Sequence, residues 1–192
     1  VWSRRCGAEG ARIEATPALS NDGNLLFVGS HDCKMHALDT ATGDEIWAFE
    51  TGGIIKSSAV ESADGVVWFG SYDQHLYGVV AQGDAQVHAH AHAHTKIRFD
   101  CGGANFGTPA LDNASRTVFV ASTNGTLRRL VWAQSHAVPS TEGPHTDTRP
   151  SRQETGVLEE RWVIKSAAPF FSSPTLAVVS DPGAVPTMVP GS

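Results

Sequence analysis

The stretch His88-Ala89-His90-Ala91-His92-Ala93-His94 carries the densest set of metal-ligating side chains in the chain. In an extended conformation, alternation puts the four imidazoles on one face of a strand and the three alanines on the other. Imidazoles two residues apart then stand on Cα atoms about 6.5–7 Å apart, close enough for a pair to chelate Zn2+ or Ni2+ weakly. The plainer reading is a low-complexity insertion without a biological ligand, since a short His-rich tract carries compositional weight only. The odd-numbered parity runs on into Ile97 and Phe99, so the tract is expected to lengthen an outer hairpin, apolar side inward and imidazoles outward.

No other residues converge on chemistry. Cys6, Cys33 and Cys101 are an odd number without Cys-x-x-Cys spacing, which points to reduced thiols and a cytoplasmic setting rather than a disulfide framework or a zinc ribbon. Serine, histidine and aspartate are all present, but no Gly-x-Ser-x-Gly elbow presents a nucleophile. No catalytic and no cofactor-binding residue is therefore assigned. A formal net charge of -6 argues against nucleic acid, because phosphate binding needs clustered Lys and Arg. No window approaches eighteen apolar residues, so no membrane-spanning segment is expected.

The elements that position these residues are announced by an internal repeat. Thr16-Pro17-Ala18, Ser58-Ala59-Val60, Thr108-Pro109-Ala110 and Ser173-Pro174-Thr175 each place a small hydroxyl residue and Pro or Ala before an apolar stretch. Twelve residues before three of these anchors stand Trp47, Ile97 and Trp162; Trp2 stands fifteen before the first. After each of the first three anchors comes a strand that ends in a small-residue step, at Gly29-Ser30, Gly70-Ser71 and Ala121-Ser122. Tight turns follow at His31-Asp32, Tyr72-Asp73 and Asn124-Gly125, residue types that bond back to their own backbone or tolerate left-handed conformations. Two further strands complete a unit of about 42 residues, the dimension of a four-stranded propeller blade. Asp32 and Asp73 are explained by these turns, and Trp47 and Trp162 by packing between blades. Cys6 and Cys101 lie four residues after Trp2 and Ile97, where the other units have Thr51 and Ser166, so that position takes a small side chain.

The run Ala37-Leu38-Asp39 with Thr42-Gly43 and Trp47 resembles the PQQ-type repeat of quinoprotein alcohol dehydrogenase-like propellers. Lys56-Ser57-Ser58-Ala59, Gly70-Ser71-Tyr72-Asp73-Gln74-His75, Cys101-Gly102-Gly103 and Phe171-Ser172-Ser173-Pro174 further resemble the C-terminal propeller of β-alanine-activating enzymes of the acyl-CoA synthetase family. That resemblance implies an ATP-dependent adenylate-forming parent whose catalytic regions lie upstream, with this chain as an accessory interaction module. It does not imply a quinone: the vicinal Cys-Cys pair that quinoprotein dehydrogenases place beside PQQ does not occur here.

The expected fold is all-β, a partial β-propeller of three to four four-stranded antiparallel blades. Residues 1–133 are expected to form blades with the His-rich insertion at about 83–95, residues 134–160 a disordered insertion loop, residues 161–180 the start of a further blade, and residues 181–192 an irregular tail. A chain that begins inside a repeat reads as a piece of a longer one. Its expected partners are other blades or domains of that parent and other proteins. Two alternatives to the interaction module are a fragment of a PQQ-dependent dehydrogenase and a propeller assembly factor.

Overall fold

The computed structural model describes residues 1–4, 10–82, 92–133, 157–177 and 188–189, which form strands and turns with no helix among them. Three four-stranded sheets follow one another along the chain, each paired antiparallel in sequence order. The first blade comprises β1 (Ala18–Leu19), β2 (Leu25–Gly29), β3 (Lys34–Asp39) and β4 (Glu45–Glu50). The second comprises β5 (Val60–Glu61), β6 (Val67–Gly70), β7 (His75–Gln82) and β8 (His92–Asp100). The third comprises β9 (Ala110–Asp112), β10 (Thr117–Ser122), β11 (Thr126–Ala133) and β12 (Val157–Lys165). A two-stranded sheet, β13 (Thr175–Leu176) with β14 (Met188–Val189), follows. The array is an open arc of blades, as expected from the repeat.

Alternation along each strand gives every blade two faces, and the core lies between blades rather than within one. Phe27, Met35, Ala37 and Trp47 of the first blade meet Val67, Phe69, Tyr77 and Val79 of the second. The opposite face of the second blade, with Trp68, Leu76 and Ile97, meets Val118, Val120, Leu130 and Trp132 of the third. Trp68 is fully buried and lies 5.1 Å from Trp132, centroid to centroid.

Two devices recur in register. A β-bulge interrupts the outer pairing at Ala37/Leu38, Gly78/Val79 and Arg129/Leu130, so Ile46, Lys96 and Arg161 are extra residues just before Trp47, Ile97 and Trp162. The small-residue step exists because the next unit's loop presses on it: a Cβ on Gly29 would stand 2.6 Å from Ile55, and one on Gly70 would stand 2.4 Å from Asn105.

Several expectations are corrected. Residues 157–165 are neither the end of a loop nor the start of a further blade; they are the outer strand of the third blade, paired with β11. The cause is that Trp162 occupies the outer-strand place of Trp47, which closes a unit instead of opening one. Residues 134–156 lie outside the described residues. Within the stretch expected to be an irregular tail, Met188–Val189 pairs with Thr175–Leu176. The His-rich insertion does lengthen the outer hairpin, since Gln82 pairs with His92 and Val80 with His94. Its parity does not run on into Ile97 and Phe99, because the bulge at Lys96 interrupts the alternation.

The turns between second and third strands share one left-handed position, filled by Cys33 (φ 69), Gln74 (φ 75) and Gly125 (φ 76). Left-handed backbone costs a non-glycine residue about 1–2 kcal/mol, part of which glycine gives back through its freer unfolded chain. Gln74→Gly is therefore expected to raise stability by up to about 1 kcal/mol. Gly125→Ala is expected to lower it by about 2 kcal/mol or more, since its Cβ would stand 2.6 Å from the Ser166 carbonyl oxygen. Urea denaturation measures both, and shifts of the same sign would contradict the shared turn geometry.

Candidate functional site

In each blade the turn between second and third strands and the connection to the next blade emerge at the same end, because successive strands are antiparallel. The connections holding the two long insertions, β7 to β8 and β11 to β12, leave from the other end. At the first end, the residue three before each anchor belongs to a stack that runs across the blades: Glu14, Lys56, Phe106 and Phe171.

The contacts are continuous. Lys56 Nζ lies 2.8 Å from Glu14 Oε2, and 5.8 Å from the centroid of Phe106. Phe106 meets Phe171 edge-on with centroids 5.4 Å apart. The first residue of each turn adds a second tier: His31 Nε2 lies 3.5 Å from Glu14, and Tyr72 packs edge-on to Phe106 at 4.4 Å and 5.4 Å beneath the Lys56 ammonium. The bond from Lys56 holds the Glu14 carboxyl below its ordinary range, and the bonds to Glu14 and Tyr72 hold the Lys56 ammonium above its own. The stack grades from charged to aromatic along the arc, and it ends on Phe171, which is 64% exposed. None of these residues was singled out as a site from the sequence. The available signal was their common offset from the anchors.

The turn acids have structural roles, as the sequence suggests. Asp32, Asp73 and Asn124 each accept from the backbone N–H two residues on, at 3.1 Å. Asp73 also accepts from the Gly52 N–H (2.8 Å) and the Tyr77 hydroxyl (2.6 Å), which ties the second blade to the loop before it. Asp32 lies 3.1 Å from His36 Nε2, whose Nδ1 lies 2.6 Å from Glu45. Asn124 and Arg128 both donate to the Cys101 carbonyl.

His88 and His90 lie outside the described residues, while His92 and His94 lie on β8. Among the described residues, no group of three or more His, Cys, Asp or Glu is placed to hold a metal ion. Cys101 is fully buried, and burial pushes its thiol up to about 11. Cys33 is half-buried in its turn, and Cys6 lies outside the described residues. Trp47 is buried against Phe27 at 5.8 Å, and Trp162 packs on Phe119 at 6.0 Å, so both are packing residues.

Comparison with known proteins agrees with this architecture. The model of a PQQ-repeat family described as outer membrane protein assembly factor BamB matches residues 1–169. No curated protein matches the sequence. Among solved structures, BamB from Moraxella catarrhalis is 20% identical with a TM-score of 0.57, over 88% of this chain and 41% of that one. A chain of a mitotic checkpoint complex is 11% identical with a TM-score of 0.59, over 84% of this chain and 44% of that one. Both likenesses are of fold, and this chain spans less than half the length of either.

The Asp73 network has a pH signature. Burial pushes the Asp73 carboxyl up, but the bonds from Tyr77, Gly52, His75 and Ser71 outweigh it and hold the group below its ordinary range. A carboxyl depressed by folding adds stability that is complete above its unfolded value and is lost as pH falls through its folded one. Asp73→Asn is therefore expected to cost about 1–3 kcal/mol at neutral pH, and to cost progressively less below about pH 4. Denaturation curves across pH test this, and a cost that does not change with pH would contradict it.

Proposed function

Because the chain belongs to the PQQ-repeat propeller family described as outer membrane protein assembly factor BamB, we propose that it works as a non-catalytic interaction module. The observation that carries this reading is the stack Glu14, Lys56, Phe106 and Phe171. Four equivalent positions of a repetitive scaffold differ in chemistry and lie together at one end, outside the inter-blade core. Among the described residues, no group of three or more His, Cys, Asp or Glu is placed to hold a metal ion.

The finer reading is that these blades are the C-terminal PQQ-repeat part of an adenylate-forming, acyl-CoA synthetase-like enzyme that acts in the cytoplasm. Its support is the four segments resembling β-alanine-activating enzymes, which contain Lys56, Tyr72 and Phe171 and so contribute to the same end-face stack. A second reading, a propeller assembly factor, is favoured by the description of the matching family. The sequence upstream of Val1 in the transcript separates the two: an adenylation domain supports the first, a secretory signal the second.

Lys56→Ala with Phe171→Ser is expected to abolish capture of the partner protein while leaving the melting curve within a few degrees of wild type, since both residues lie outside the inter-blade core. A capture profile identical for wild type and variant would sink the end-face reading. For His88, His90, His92 and His94, we infer weak Zn2+ or Ni2+ chelation at most, with no resident cofactor. Calorimetric titration with zinc is expected to show no saturable event below roughly millimolar, and a stoichiometric micromolar event would make the tract a metal site.

A further inference from the structure

We propose that residues 102–106, the segment that carries Phe106 into the end-face stack, form a latch that swings out between the second and third blades when Asn105 leaves its socket under Gly70. The matching segment of the first junction, residues 52–56 around Lys56, is fixed. Both segments lie between complete, described blades, so each is the other's reference.

The backbone attachments of the two segments repeat. The Tyr72 N–H donates to the Ile54 carbonyl at 3.1 Å, and the Thr123 N–H to the Ala104 carbonyl at 2.9 Å. The Ile55 N–H donates to the Ser30 carbonyl at 3.0 Å, and the Asn105 N–H to the Ser71 carbonyl at 3.2 Å. The difference lies in the side chain that fills the socket. Ile55 is fully buried in the apolar cluster between the first and second blades, and Phe170 takes the same position after the third. Asn105 is equally buried, but its amide is only half satisfied: Oδ1 accepts from the Ser122 hydroxyl at 2.6 Å, while Nδ2 has no partner. A buried donor without an acceptor bears the cost of leaving water and recovers none of it. Two neighbours weaken the hold further. Ala104 stands where the first junction has Ile54, and Gly107 where it has Ser57, whose buried hydroxyl bonds the Ser58 and Gly107 carbonyls at 2.9 and 3.0 Å.

Both ends of the segment are pinned. Asn124 Nδ2 and Arg128 Nη1 donate to the Cys101 carbonyl at 2.9 and 2.8 Å, and Ser57 Oγ holds the Gly107 carbonyl. Between the pins Gly102, at φ 68, and Gly103 give the backbone its freedom to turn. Withdrawal of Asn105 then has two effects. It carries Phe106 away from Tyr72 and Phe171, and it uncovers the Cys101 thiol, beside which Asn105 and Ser122 both stand. On the end-face reading, the aromatic half of the stack adjusts to a partner while the charged half does not; the latch itself does not depend on that reading.

Labelling with an aromatic disulfide reads the latch, on the full chain carrying Cys6→Ser and Cys33→Ser so that Cys101 alone reacts. In the closed latch that thiol is fully buried, and burial pushes it up to about 11. Labelling is expected at a rate that is flat in low urea, because opening exposes little surface. Asn105→Ile, which copies the first junction, is expected to slow it by roughly tenfold or more. By register Ser122 then has the Gly103 carbonyl to bond, as Ser71 Oγ bonds that of Gly53. Labelling that follows global unfolding, rising steeply from the lowest urea concentrations, overturns the proposal. So does an Asn105→Ile chain that keeps the wild-type far-ultraviolet spectrum and is labelled as fast as before. Should that variant not fold, the urea dependence decides alone. The readout needs no partner, so failure here is distinct from failure of the end-face reading.

Discussion

The structure depends on one constraint: a four-stranded sheet with apolar side chains on both faces must be covered on both. In the second blade this is met in full, with Val67 and Phe69 turned to the first blade and Val66 and Trp68 to the third. Burying such side chains contributes about 1.5–3 kcal/mol each, so one inter-blade face is comparable with the net stability of a domain. The close approach this requires explains details that would otherwise be arbitrary. Gly29 and Gly70 are bare of side chains because the next unit's loop rests on them. The bulges re-aim the outer strands so that Trp47 and Ile97 turn into the inter-blade core.

The same constraint governs the polar residues that tie turn to strand. Equivalent positions on the third strands hold His36, Tyr77 and Arg128, three side chains of different charge and shape. Tyr77 has one hydroxyl and gives it to Asp73. His36 presents one ring nitrogen to Asp32 and the other to Glu45. Arg128 serves the Cys101 carbonyl and Glu160 together. Donor capacity follows the acceptors each blade supplies, so the network stays satisfied while its chemistry changes, as buried polar groups require. This is why acids in repeat turns are a poor guide to catalysis here.

Much of the fold was legible because it is written as period and offset. The Ser-Pro anchors, the Gly-Ser steps and the Asp turns each mark a backbone event that recurs, and all three full blades fall where those landmarks put them. The outer strand of the third blade straddles the boundary expected at residue 160: the offset of Trp162 matches that of Trp47, but the long insertion before it hides where the strand begins. The parity of the histidine tract failed for a different reason. A bulge adds one residue, and no composition rule reveals one. The end-face stack is not legible in the repeat, because its residues share a position but not a type.

Positions that face a neighbouring blade are held to apolar types by packing, so they report the family and little else. The offset occupied by Glu14, Lys56, Phe106 and Phe171 is free of that demand, and there one scaffold carries an acid, a base and two aromatic rings. Glu14 and Lys56 neutralise each other within the stack and Phe171 at its aromatic end is exposed, so the proposed interaction role would call for a partner that brings apolar surface. On the proposed interaction role, specificity would lie in the order of residues around the arc rather than in any single one.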